Sequence, residues 1–186
     1  MNTKTLYKVL IIYSLIFNAQ LAAQDRYGIS NEFHRKNRDN LRDQMSDNTV
    51  AVLFSSPVRK RANDVYYSYH PDPNYYYLSG WREPHSVLVI FKNTITDTLG
   101  NYNEILFVRE KNAYDEKWNG KRMGLEGAER LGFDKVLSKK MFSKMNFNFE
   151  NFEMVLLNPF QSDVKNIIND ESDLFDLQNQ LKIKLN

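Results

Sequence analysis

The sequence predicts a single α/β domain whose mixed β-sheet is flanked by helices. A capped amphipathic segment runs directly into a short apolar segment. Two further apolar runs are joined by a polar stretch, and short helical and extended segments then alternate toward the C-terminus. No repeat of fixed period, low-complexity tract or second hydrophobic core suggests a further folded unit within the 186 residues.

Taken in order, Ser30 can cap a helix reaching Met45, with Glu32 in the first turn and Phe33, Leu41 and Met45 on one face. The other face, with His34, is polar and basic. Thr49 to Phe54 (TVAVLF) reads as a buried strand closed by Ser55-Ser56-Pro57. Arg59-Lys60-Arg61 and Asp64 read as a solvated loop. The tyrosine-dense stretch from Tyr66 contains His70-Pro71-Asp72-Pro73; the two prolines argue against a helix and for a loop feeding a strand that ends at Gly80. This aromatic block, running to Trp81, can pack a core and a sheet edge or line an interface.

Ser86 to Phe91 (SVLVIF) and Glu104 to Arg109 (EILFVR) are predicted as antiparallel strands, with Lys92 to Asn103 as the hairpin loop. Leu125 to Leu131 suits a short helix ended by Gly132, with Phe133 packing back. Val136-Leu137 is extended, a helical segment surrounds Met141, and Met154 to Leu157 is the last strand. From Ser162 onward the chain is free to be helical, with Ile167, Ile168, Phe175, Leu177, Leu181 and Leu185 on its apolar side.

The N-terminus decides the expected compartment. Lys4 and Lys8 precede an apolar run, Val9 to Phe17, and Leu21-Ala22-Ala23 offers small residues before Gln24, the pattern of a secretory signal peptide. A membrane span needs about 20 apolar residues, more than this run supplies before Asn18 and Gln20. Residues 1–23 are therefore expected to be removed, leaving a protein that is exported to the periplasm or outside and not anchored in a membrane. Without those two lysines, 23 basic residues face 23 acidic ones. A formally neutral chain has little to attract nucleic acid or anionic lipid.

Cysteine is absent, which excludes thiol nucleophiles and cysteine-based metal sites. His34, His70 and His85 lack the spacing of a helical metal motif, and no nucleophile elbow, P-loop or dinucleotide fingerprint is present. From the residues alone no reaction follows. Trp118-Asn119-Gly120-Lys121-Arg122-Met123-Gly124 sets an indole on a glycine-flexed loop beside two cations, a contact residue or a plug for the domain's own core.

Five ordered blocks carry a resemblance. Tyr75-Tyr76-Tyr77-Leu78-Ser79-Gly80-Trp81-Arg82-Glu83-Pro84, followed by Val87 to Ile90, resembles the aromatic block of the aminopeptidase P N-terminal domain, of the creatinase and prolidase type. Arg61 to Asp64, Ile105 to Arg109, Trp118 to Gly124 and Gly127 to Gly132 match its other landmarks in sequence. The resemblance implies a non-catalytic α/β domain ahead of a pita-bread catalytic domain of an Xaa-Pro aminopeptidase. That second domain holds two divalent cations, typically manganese, through two Asp, one His and two Glu, and hydrolyses the bond before proline.

None of those ligands is placed here, since their region would begin beyond Asn186, so no catalytic residue or cofactor is expected within this chain alone. The implied partners are the catalytic domain, a neighbouring subunit of a homo-oligomer, and short proline-containing peptides. Trp118 matches the tryptophan that narrows a neighbour's active site. Arg122 lies in the same segment, and Asp64 aligns with an aspartate near the pocket. The expected organisation is a signal peptide (1–23), the domain (24–160) and a C-terminal helix leading toward a catalytic domain (161–186). The alternative is a stand-alone module that binds a peptide or partner through the aromatic block and the Trp118 segment.

Overall fold

The computed structural model describes residues 29–63, 65–145, 147–166 and 172–185. The expected signal peptide, Asp64, Ile167 and Ile168 lie outside the described residues.

Helix α1 (Asn31–Gln44) starts where expected: the Ser30 hydroxyl accepts from the Phe33 amide at 3.2 Å. Strand β1 (Thr49–Phe54) is buried along its whole length, as its apolar β-branched sequence requires when both sheet faces are covered. A two-stranded ribbon follows, β2 (Lys60–Ala62) and β3 (Val65–Tyr66), with its described residues exposed.

The tyrosine-dense stretch corrects the expectation of a strand, because Pro73 to Ser79 is a helix, α2 (Pro73–Ser79). Proline in the first turn gives up an amide that has no intrahelical partner anyway, and the Asp72 carboxylate accepts from the Tyr75 amide at 2.9 Å. Gly80 ends the helix at φ +66. A Cβ there would also lie 2.8 Å from the His34 ring, so both conformation and close approach call for glycine.

The hairpin is longer than its sequence suggested. Strands β4 (Val87–Asp97) and β5 (Gly100–Val108) pair antiparallel up to a turn at Thr98 and Leu99. Polar outer residues still form a ladder, helped by the Tyr102 hydroxyl donating to Asp97 at 2.6 Å. Next come α3 (Ala113–Asn119), α4 (Gly124–Glu129), β6 (Lys135–Ser138), α5 (Met141–Lys144), a 3₁₀ turn (Phe149–Asn151) and β7 (Met154–Leu157). The last helix, α6 (Leu174–Leu185), begins later than Ser162.

The sheet order is β6-β5-β4-β1-β7, antiparallel in the middle and parallel at both edges. Alternation sends Val50, Val52, Phe54, Val89, Phe91 and Phe107 to one face, where Phe142, Phe149, Leu174, Leu177 and Leu181 cover them. Ala51, Leu53, Leu88, Ile90 and Leu106 face the other side, under Met45, Tyr75, Leu78, Trp81, Ala128 and Phe133. Each fully buried large side chain contributes about 1.5–3 kcal/mol.

Helix α1 overturns the reading of its polar face as solvated. His34, Asn37 and Arg38 are buried. Arg38 donates to both oxygens of Glu104, at 2.8 and 3.0 Å, and to the Leu78 carbonyl at 3.0 Å, while its guanidinium lies 4.0 Å from the Phe133 ring centroid. The His34 Nδ1 donates to the Tyr77 carbonyl at 3.0 Å. Polar side chains, all partnered, thus fasten α1 to α2 and to β5.

Candidate functional site

Past the end of β5 the chain forms a small unit that is not anchored by burial. Helix α3 has Asn112 as its cap, whose side chain accepts from the amides of Tyr114 and Asp115 at 3.0 and 3.2 Å. Asp115 and Glu116 suit the positive end of its dipole, and Gly120 (φ +83) ends it. None of its residues is buried. Tyr114 and Trp118 are each 73% exposed, and four-residue spacing places them on the same side of the helix.

Trp118 is therefore on a helix, correcting the placement within a flexible loop, and its indole faces solvent. The loop that follows folds back on the helix. The Arg122 guanidinium donates to Asp115 at 2.8 Å and to the Glu110 carbonyl at 3.3 Å, and its amide donates to Glu116 at 3.2 Å. One residue on, the Met123 amide donates to Glu83 at 2.7 Å, and the other Glu83 oxygen lies 3.5 Å from an Arg109 nitrogen. Gly124 (φ +64) lets the chain pass Lys111, whose side chain would be 2.8 Å from a Cβ.

The structure thus brings Trp118 and Arg122 into one unit and joins to it Glu83, Arg109, Asp115 and Glu116, which sequence reasoning assigned no role. Glu83 and Arg109 stood in the quoted blocks, but their meeting with Met123 is a tertiary fact. Asp64 is outside the described residues, between β2 and β3. Beside that ribbon, Arg59 donates to Asp163 at 2.6 Å and to Gln161 at 2.7 Å, and holds the Asp163 carboxyl below its ordinary range. An opening of about 410 Å³ lies there, lined in part by Arg59, Tyr66, Tyr67 and His85.

The histidines have structural partners or face solvent. His85 is buried and accepts from the Leu174 amide at 2.8 Å, His34 is bonded to Tyr77, and His70 is exposed. Among the described residues no group of three histidine or carboxylate side chains could hold a metal ion. The donors among the described residues therefore do not fit a dinuclear metal centre. Burial pushes the Tyr75 hydroxyl well above its ordinary range, and it donates to Ser86 at 2.8 Å, a structural bond in the core.

With helices over both faces of its mixed sheet, the chain is a three-layer α/β domain, and among the described residues its one helix without buried residues leaves two aromatic side chains in solvent. The particular family follows from the match of residues 34–150 to the aminopeptidase P N-terminal domain. The chain belongs to that family.

It is 37% identical over 118 residues to intermediate cleaving peptidase 55 of Schizosaccharomyces pombe, covering 63% of this chain and 22% of that protein. It is 33% identical over 119 residues to the Xaa-Pro aminopeptidase of Escherichia coli K12, covering 63% of this chain and 25% of that protein. The solved structure of E. coli aminopeptidase P with the inhibitor Pro-Leu superposes at a TM-score of 0.64 with 26% identity, over 83% of this chain and 33% of that one. The chain thus spans about a quarter of the length of these curated relatives.

Proposed function

We propose that the chain works as the non-catalytic N-terminal domain of an exported Xaa-Pro aminopeptidase, shaping the substrate site and contributing to oligomer assembly. In this reading residues 1–23 direct export, residues 24–160 form the domain, and residues 161–186 lead toward a catalytic domain. That domain supplies the divalent cations, manganese in this proposal, and carries out hydrolysis of short proline-containing peptides.

The observation that carries the reading is Trp118. A tryptophan that is 73% exposed on a helix without buried residues does nothing for the domain's own core, and exposed indoles are favoured anchors in interfaces. Arg122 holds the segment behind it through Asp115 and Glu116. Trp118 is proposed to narrow a peptide site completed by another domain or subunit, with Asp64 as a second candidate for that site.

The test joins this chain to an aminopeptidase P catalytic domain and compares Trp118→Ala with the parent. The expected result is a several-fold rise in KM for short Xaa-Pro peptides, with bound metal and kcat little changed. Equal KM values would sink the assignment of Trp118. Peptide binding by the chain on its own would favour the stand-alone module.

A further inference from the structure

We infer that Glu83 is the positioning residue that fixes Trp118 in place. Hydrophobic packing sets the position of most elements in this fold, but α3 buries none of its residues. Within the α3 unit, the bonds of Arg122 reach Glu110, Asp115 and Glu116. They close the unit on itself without orienting it on the domain. Glu83 makes that connection across 40 residues of sequence, accepting the Met123 amide at 2.7 Å.

Glu83 is suited to the task because its own backbone is held at a rigid corner. The Ser86 hydroxyl donates to the Glu83 carbonyl at 3.2 Å and accepts from the buried Tyr75 hydroxyl at 2.8 Å, while the Ser86 amide donates to Ser55 at the end of β1, at 3.1 Å. The second carboxylate oxygen faces Arg109 at 3.5 Å, and both side chains are largely shielded, at 13% and 16% exposure. A buffered surface pair would be weak; a shielded carboxylate on a backbone amide at this distance is a directional tie. The Glu-Pro step after Gly80-Trp81-Arg82 thereby couples the core at Trp81 to the indole at Trp118.

The inference rests on the reading of Trp118 as a contact residue, but its test needs no peptide. The chain contains two tryptophans, so fluorotryptophan labelling gives two fluorine resonances, with buried Trp81 as the internal control for folding. Two conservative variants separate reach from charge. Glu83→Asp keeps the charge near Arg109 but draws the carboxylate back from the Met123 amide, whereas Glu83→Gln keeps the reach and an acceptor while losing the charge. The expected result is that Glu83→Asp narrows and shifts the Trp118 line, that Glu83→Gln leaves it near the parent, and that the Trp81 line stays fixed in both.

Unchanged Trp118 lines in both variants would overturn the inference. So would a Trp81 line that moves in step with Trp118, since that marks a general structural role. In the enzyme joined to a catalytic domain, Glu83→Asp should raise KM by the same factor as Trp118→Ala, and the double variant should raise it no further. If Trp118→Ala leaves KM unchanged while the fluorine result holds, the reading of Trp118 fails and the positioning by Glu83 stands.

Discussion

The two tryptophans sit 37 positions apart and are placed by different physics. Trp81 is fully buried among Leu53, Tyr75, Leu78 and Leu88, where close packing dictates its position. Trp118 is mostly in solvent, and its helix is oriented by an asparagine cap, an arginine folded back on two acids, and one glutamate from the far end of the core block. Burial fixes a residue through many weak contacts and leaves it unavailable. A few directional bonds fix a residue and leave it free to meet something else.

The strongest test of this contrast is Trp81→Ala, which should destabilise the chain by about 3–5 kcal/mol and lower the thermal midpoint by on the order of ten degrees. Differential scanning calorimetry measures it. A drop of a degree or two would mean that the core tolerates the cavity and that the contrast is overstated.

A comparable loss is expected at the polar heart of the buried side. Arg38→Ala leaves Glu104 without its bidentate partner, and breaking a buried pair in this way costs about 3–5 kcal/mol. The effect should depend on pH. Burial lifts the Glu104 carboxyl above its ordinary range against the pull of Arg38, so the folded state keeps that proton to higher pH than the unfolded chain. The stabilisation from that proton is full below the ordinary carboxylate value and declines as pH rises through the folded one. Removing Arg38 should carry the decline to higher pH, and urea unfolding at several pH values between about 4 and 8 would show it. Parallel profiles for parent and variant would refute the assignment.

The smallest effect belongs to α3. Trp118→Ala should change stability by no more than about 0.5 kcal/mol, as for an exposed position without special contacts. Equilibrium urea unfolding decides between this and a core role, because a loss near that of Trp81→Ala would require the indole to be packed.

The same contrast explains what the sequence made legible. Thr49–Phe54 and the apolar inner parts of the hairpin arms were readable because their apolar continuity is itself the cause of their burial, and Met154–Leu157, only half-covered at the sheet edge, was readable from its apolar run alone. Helix α2 was misread because Pro71 and Pro73 are breakers inside a helix but Pro73 occupies a first-turn position, and the cap on Asp72 is visible only once the turn exists. The buried side of α1 escaped notice because it carries His34, Asn37 and Arg38, whose partners Tyr77, Leu78 and Glu104 lie 40 to 66 residues away. A lone glutamate opening the apolar EILFV run was the available hint. At the candidate site, Trp118 and Arg122 stood out by residue type, whereas Glu83 became meaningful only when the fold brought it to Met123.

The arrangement of the sheet also has a consequence in time. Strands β4 and β5 meet across a tight turn, so little chain entropy is lost in pairing them and they can form early. At the edge, β7 pairs parallel with β1, and the Asn158 side chain bonds both the amide and the carbonyl of Phe54 across 104 residues. That closure must await most of the intervening chain. The hairpin is thus expected to act as the nucleus and the β1–β7 seam to close late, the last place to gain amide protection during refolding and the first to lose it when the domain opens.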